Sequence, residues 1–141
     1  MMKECVFCKI VCKEINSSII YETQNVVCLL DIHPIAKGHC LIIPKGHYVN
    51  IFEIPEEDLD NIIRAAKKIS KIVKTELGAT GINILHASGK DAQQSVSHFH
   101  IHLVPRYKND GLNAWPSSDY KEKSFEKIRQ RISLSNSKFY K

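Results

Sequence analysis

The sequence predicts an α+β protein in which an antiparallel five-stranded sheet packs against one long helix, with short helices toward the chain ends. Three observations support this class. Five apolar segments have the length of strands, most connections between them are short, and one further segment repeats its apolar residues at helical spacing. Because helices do not alternate regularly with the strands, the pattern favours an antiparallel sheet over a parallel βαβ arrangement.

Turn-forming residues bound the five predicted strands. A Gln-Asn pair separates the first two strands and predicts a hairpin, whereas Gly38 precedes the third strand and Pro44 limits it. The fifth strand contains three of the seven histidines of the chain. The predicted strands are residues 19–23, 26–32, 39–45, 81–87 and 97–106.

The long helix is predicted at residues 56–77. Pro55 suits a first helical turn, the acidic residues that follow favour the positive N-terminal end, and Gly78 is a typical stop. Apolar residues at helical spacing predict one buried face, made of Leu59, Ile62, Ile63, Ala66, Ile69, Val73 and Leu77. A short second helix is predicted at residues 124–132.

The length of 141 residues suits a single domain, which we predict at residues 1–120, followed by a basic tail at residues 121–141 that is partly helical or frayed. The tail carries seven basic and two acidic residues, which alone supply the net charge of +5. A solvated tail on a neutral domain is therefore favoured over an arm that binds nucleic acid or a membrane.

Two further features predict a cytoplasmic protein. No segment approaches the roughly 20 apolar residues of a membrane span, and the first residues lack the apolar stretch of a secretory signal. Five cysteines, an odd number, fit reduced thiols better than a disulfide framework.

Three histidines alternate with apolar residues in the segment SHFHIHLVPR. On a strand, His98, His100 and His102 share one face at intervals of about 7 Å, and the apolar residues between them face the core. In a chain with seven histidines, such a triple rarely arises by accident. The row therefore predicts a metal site or a catalytic array.

Cys5 and Cys8 have a spacing that occurs both in metal sites and in redox-active pairs. The redox alternative needs a βαβ context that this sequence lacks. Structural Zn²⁺ needs two more ligands, for which His47 and one histidine of the row are candidates, and the spacing leaves open which one. A zinc ion bound by all three histidines of the row, with a reactive water, is a further alternative.

A neutral histidine of the row is also a candidate nucleophile. This role requires that an acceptor holds the Nδ1 proton, so that Nε2 presents its lone pair. Phosphorus is a suitable electrophile, because imidazole forms a phosphoramidate that water later hydrolyses.

The pattern His-φ-His-φ-His-φ-φ, in which φ is apolar, occupies residues 98–104, and with it the chain resembles the histidine-triad (HIT) family. The likeness extends through CVFCKIVCKEI, LLDIHPIAKGHCLIIPKGHY, GINIL and QSVSHFHIHLVPR, about residues 4–107, and looks closest to the Hint-like, zinc-carrying branch. It implies a HIT-like fold, a homodimer, and hydrolysis or transfer of nucleoside monophosphates from purine nucleoside phosphoramidates or dinucleoside polyphosphates.

The resemblance also implies roles for individual residues. His100 would attack the α-phosphorus while the His98 carbonyl holds its Nδ1 proton, and His102 would contact the phosphate. Gln94 and Ser95 would lie on the phosphate and leaving-group side. Structural zinc would be bound by Cys5, Cys8, His47 and His98. The nucleotide site would also include Phe7, Ile15, Leu29 and Ile32 around the base, Asp31 at the ribose hydroxyls, and His39 nearby.

Three residues depart from the family pattern. Ala87 and Ser88 stand where relatives usually carry amide side chains, and Gln93 stands where they carry glycine, so Gln93 must accept a backbone geometry that glycine adopts freely. We expect an effect on rate and leaving-group preference rather than on reaction class.

A non-catalytic purine-nucleotide-binding regulatory protein is the alternative on the same fold. Retention of all three histidines with Gln94 and Ser95 favours the enzyme, because a binding protein needs no nucleophile. The expected homodimer would use the long helix at residues 56–77 and its neighbouring strand as the two-fold contact.

Overall fold

A computed structural model of the chain describes residues 4–139, and the side chains of residues 4–133. Its strands form one antiparallel sheet in the order β1-β2-β3-β5-β4. This arrangement confirms the predicted fold class. The elements are α1 (Val6–Val11), β1 (Ile19–Glu22), β2 (Val26–Leu30), β3 (Cys40–Pro44), α2 (Glu56–Leu77), β4 (Gly81–Leu85), a short 3-10 helix (Lys90–Ala92), β5 (Ile101–Arg106) and α3 (Phe125–Phe139).

The central strands are buried on both faces, which explains their continuous apolar sequences. In β2, Val26 and Cys28 belong to the large core cluster that includes the buried face of α2. Val27 and Leu29 belong instead to a smaller cluster with Phe7 of α1. Because successive side chains of a strand point to opposite faces, α1 and α2 cover opposite sides of the sheet.

The long helix α2 has the predicted bounds. Pro55 caps its N-terminus in an extended conformation, and Gly78 ends it in the left-handed region at a φ of 71°. The prediction that Ile63 is buried was wrong, since its side chain is 51% exposed. The step of about 100° per residue carries Ile63 away from the face that holds Ile62. The buried residues of α2 are Ile62, Ala65, Ala66, Ile69 and Val73.

The histidine segment is only partly a strand. Since β5 begins at Ile101, it contains His102 but neither His98 nor His100, and the predicted start at residue 97 was wrong. The partner strand β3 ends at Pro44, which has no N–H to continue the ladder.

The face alternation nevertheless persists through this irregular stretch. Phe99 and Ile101 lie in the large core cluster on the α2 side. The rings of His98 and His100 instead contact Phe7 of α1 at centroid distances of 5.7 and 5.2 Å. The Phe99 N–H donates to the carbonyl of Tyr48, 2.6 Å away, which holds the stretch in place without a regular strand partner.

The chain divides into two compact units, residues 1–111 and 112–141. The predicted boundary at residue 120 stays a prediction. In the second unit, α3 continues past its predicted end at residue 132 to Phe139, because the sequence offers no glycine or proline to stop it. Within residues 4–139 no helix is long and apolar enough to cross a membrane. The cytoplasmic location stays a prediction.

Candidate active site

The protonation pattern of His100 follows from its hydrogen bonding. Its Nδ1 lies 2.7 Å from the backbone carbonyl oxygen of His98, which only accepts, so Nδ1 carries the proton and donates it. Nε2 therefore presents a lone pair. The ring is 3% exposed, and this burial lowers the pKa of His100, which favours the neutral form. A neutral, oriented imidazole of this kind has the properties of a nucleophile.

His100 lines a cavity of about 290 Å³ beside α1. Such a volume is at the lower end of the range for small-molecule sites. Its walls are mainly apolar, and Ile32 lies at the rim, where its side chain is 82% exposed. The sequence-predicted residues that line the cavity are Phe7, Ile15, Leu29, Asp31, Ile32, Ser95, His100 and His102.

His39 and Gln94 are the two predicted nucleotide-site residues that lie outside this lining set. His39 is buried behind His102, with the two rings 5.2 Å apart. Gln94 has both amide hydrogens engaged, because Nε2 donates to the carbonyls of Val49 at 2.6 Å and Val96 at 2.9 Å. Ser95 is thus the member of this pair that lines the cavity.

In the loop before the histidines, Gln93 adopts the backbone geometry for which glycine is the usual residue. Gln93 has a φ of 65°, in the left-handed region that favours glycine. The next residue ties the loop together, because the Gly89 N–H donates to Oε1 of Gln94 at 2.8 Å. Gln93 therefore adopts the geometry expected of a glycine at some cost in backbone strain.

Two side chains, those of His39 and Asp31, lie at the Nδ1 edge of His102. That atom lies 3.0 Å from Nε2 of His39 and 3.6 Å from Oδ2 of Asp31, and the last two atoms are 3.4 Å apart. Burial, followed by repulsion from His100 and His39, lowers the pKa of His102 to about 4. Burial also lowers the pKa of His39. The contacts with Asp31 are consequently those of neutral imidazoles and not salt bridges.

Four potential metal ligands meet on the α1 side of the sheet. Cys5 and Cys8 lie one helical turn apart at α1, and His47 and His98 come from the loops next to β3 and β5. The ligand atoms are separated by 3.4 Å from Cys5 Sγ to His98 Nδ1, 3.3 Å from Cys8 Sγ to His47 Nδ1, and 3.2 Å between the two Nδ1 atoms. All four atoms lie within 4.8 Å of one another.

These residues fit a tetrahedral zinc ion. With zinc bonds of about 2.3 Å to sulfur and 2.0–2.1 Å to nitrogen, the edges of the tetrahedron measure about 3.3–3.8 Å, close to the separations observed. His98 also has the required tautomer. Its Nε2 donates to the carbonyl of Pro44 at 3.0 Å, which leaves the Nδ1 lone pair for the metal.

One residue near His100, His86, was not predicted from the sequence. His86 donates from Nδ1 to the carbonyl of His100 at 2.7 Å, and its ring packs on Phe99 at 4.2 Å. Its Nε2 lies 2.6 Å from the hydroxyl of Ser88, which accepts the N–H of Ile51 at 2.9 Å. The Ser88 hydroxyl thus completes a chain of hydrogen bonds that runs through His86 to the His100 carbonyl. The only sequence signal was a polar histidine at the end of an apolar strand.

Comparisons with known proteins agree with this geometry. The HIT domain matches residues 12–109 of the chain. An adenosine 5'-monophosphoramidase, HNT1 of Candida albicans, is 38% identical over 138 residues, which covers 91% of each chain. A crystal structure of a HIT family protein from Bacillus anthracis has a TM-score of 0.86 at 37% identity and covers 96% of this chain and 99% of that one.

A further solved structure bears on the metal centre. The Zn-bound histidine triad family protein from Mycobacterium smegmatis has a TM-score of 0.76 and 35% identity, and it covers 95% of this chain and 96% of that one. The five-stranded antiparallel sheet and the row of histidines beside a Cys₂His₂ cluster agree with this likeness to histidine-triad proteins. The chain belongs to the HIT family, and the zinc-carrying branch is supported by this relative and by the four-ligand cluster.

Proposed function

We propose that this protein is a hydrolase or nucleotidyl transferase that cleaves purine nucleoside phosphoramidates at the α-phosphorus, with dinucleoside polyphosphates as the related substrate class. The observation that carries the proposal is the 2.7 Å hydrogen bond from His100 Nδ1 to the His98 carbonyl, beside a cavity lined by Asp31 and His102. The similarity to an adenosine 5'-monophosphoramidase supports the choice of substrate.

The proposed reaction has two displacement steps. In the first, the Nε2 lone pair of His100 forms a bond to the α-phosphorus, and the bond from phosphorus to the leaving nitrogen or oxygen breaks. The leaving group takes a proton that is relayed from solvent through the Ser95 hydroxyl. In the second step, water attacks phosphorus, loses a proton to solvent, and releases His100 and the nucleoside monophosphate. A transferase uses an acceptor other than water.

The neighbouring residues bind and orient the nucleotide. Phe7, Ile15, Leu29 and Ile32 would enclose the purine, whose flat apolar faces suit such walls. Asp31 would accept hydrogen bonds from the ribose hydroxyls, and His102 would donate one to the phosphate. Gln94 would hold the loop that presents Ser95, because its amide groups are engaged by backbone partners.

Cys5, Cys8, His47 and His98 are the residues that would hold a zinc ion. Four protein ligands complete a tetrahedron, so the ion would supply structural cohesion and no coordination position for a reactive water. It would tie α1 to the segment whose carbonyl orients His100. This ligand set disfavours the alternative in which the three histidines of the row bind a catalytic metal.

The homodimer is also a proposal. Support comes from the edge strand β4, where Ile84 is 47% exposed, and from Ile63 on α2 at 51%. An edge strand with an apolar outer surface is suited to pairing with a second copy. Sedimentation at micromolar concentration tests the proposal, with a dimer expected and a monomer as the contradicting result.

Release of AMP from adenosine 5'-phosphoramidate and from a diadenosine polyphosphate tests the proposed activity directly. We expect the wild-type protein to turn over the phosphoramidate and the His100→Ala variant not to do so. Saturable binding of AMP without turnover of either compound would contradict the enzyme and favour a regulatory nucleotide-binding protein.

A further inference from the structure

His39 has a hydrogen-bond pattern that fixes the position of its own proton. The side chain is 4% exposed and lies outside the set of residues that line the cavity. The backbone N–H of Ile35 donates to Nδ1 of His39 at 3.2 Å. Since a neutral imidazole carries one N–H and Nδ1 is the acceptor, the proton of His39 is on Nε2.

The His39 proton in turn determines what His102 can do. Nε2 of His39 lies 3.0 Å from Nδ1 of His102 and 3.4 Å from Oδ2 of Asp31. If Nδ1 of His102 also carried a proton, its N–H would face the N–H of His39 at this distance, and the two groups would repel each other. His102 Nδ1 must therefore accept, and its proton is displaced to Nε2.

We propose that His39 is a positioning residue that sets the tautomer of His102, so that His102 presents an Nε2–H donor to the substrate phosphate. The hydrogen bonds run in one direction, from the Ile35 N–H to His39 Nδ1 and from His39 Nε2–H to His102 Nδ1. The consequence for phosphate rests on the proposed function, whereas the tautomer itself does not. His39 acts through His102 and does not touch the nucleotide.

A metal ion is the competing use of this cluster, because Asp31, His39 and His102 each offer one ligand atom within 4.8 Å of the others. Ligation through His39 would require the Nε2 lone pair and would move the proton to Nδ1. That proton would then face the Ile35 N–H at 3.2 Å. The observed hydrogen bond thus favours the donor role of His39 over ligation.

Nitrogen NMR of the wild-type protein, with ¹⁵N-labelled histidine and without nucleotide, tests the proposal. Correlations between the ring nitrogens and the carbon-bound ring protons identify the protonated nitrogen. We expect the Nε2–H tautomer for both His39 and His102. An Nδ1–H tautomer at His102 would overturn the proposal, even if the enzyme is active. The expected tautomers without any AMP release would instead contradict the proposed function alone.

Two substitutions at His39 extend the test. His39→Leu removes the donor, and we expect His102 to shift toward the Nδ1–H tautomer facing Asp31 and kcat to fall about tenfold, with a smaller change in KM. His39→Gln retains an amide N–H and should restore most of kcat. Equal kcat values for the two variants would contradict the donor role. A second Co²⁺ per chain that is lost in His39→Leu would show that the cluster is a metal site.

Discussion

The Nδ1 atom of His100 lies 2.7 Å from the backbone carbonyl oxygen of His98, so one residue of the histidine row orients the next through the main chain. His98 has its own side chain directed at Cys5 and Cys8. The residue that would bind the metal and the residue whose carbonyl would orient the proposed nucleophile are therefore the same. The proposed metal ligand His98 and the proposed nucleophile His100 are thus two residues apart, and no atom takes part in both metal binding and the proposed reaction.

His100→Ala should abolish turnover while nucleotide binding survives. The substitution removes the attacking nitrogen, and loss of a covalent nucleophile lowers kcat by several orders of magnitude. Asp31 and the apolar cavity walls are unchanged, so AMP affinity should stay within about threefold by calorimetry. Near-normal turnover in the variant would exclude His100 as the nucleophile.

His102 should remain neutral from pH 8 down to about pH 5. Burial and the neighbouring His100 and His39 lower its pKa from 6.5 to about 4. As the pH falls, the unfolded chain takes up this proton first, so the contribution of His102 to stability is complete above pH 6.5 and is lost as the pH falls toward 4. An NMR titration of the His102 ring measures this directly, and a midpoint near 6.5 would contradict it.

Asp31→Asn should weaken discrimination between ribose and deoxyribose. A hydrogen bond to a charged acceptor contributes about 1.5–3 kcal/mol, so we expect wild-type kcat/KM to favour the ribonucleotide substrate over its 2'-deoxy analogue by about 10–100-fold. In the variant the ratio should fall toward one. The neutral amide still offers an oxygen to the His33 N–H, which Asp31 accepts at 2.8 Å, so the local turn is retained. An unchanged ratio of the two kcat/KM values would show that Asp31 does not bind the ribose hydroxyls.

Cys5→Ser should lower the zinc content and the melting temperature together. The energy of binding a structural metal is also folding energy, so loss of one ligand should destabilise the protein by about 3 kcal/mol or more. Cys12→Ser is the matched control, because Cys12 is an exposed residue just after the same helix and outside the four-ligand cluster. Equal zinc content in the two variants would contradict the assignment of Cys5.

The fold was predictable from the sequence because its signals are local. The helical spacing of the apolar residues in α2 and the strand-like segments around the turns each follow from near neighbours. The start of β5 was not predictable in this way. It depends on where β3 ends at Pro44 and on the bond from Phe99 to Tyr48, both of which lie about 50 residues away.

The site was predictable mainly where residue types are distinctive. The histidine row and the Cys5–Cys8 pair could be identified from spacing, whereas the choice of His98 as the remaining ligand depended on family resemblance. The role of His86 could not be predicted, because it arises from contacts with Ser88 and the His100 carbonyl across a loop. Nor could the sequence show that both amide hydrogens of Gln94 are engaged by backbone carbonyls.

The central claim is that a nucleotide becomes covalently attached to His100. Rapid acid-free quenching of the wild-type protein with adenosine 5'-phosphoramidate labelled at the α-phosphorus, followed by peptide mapping, tests it most directly. We predict label on the peptide that contains His100, with the stability to alkali and lability to acid that characterise a phosphorus–nitrogen bond, and no label in His100→Ala. Turnover of the same substrate with no protein-bound label, or label on any other residue, would contradict the account.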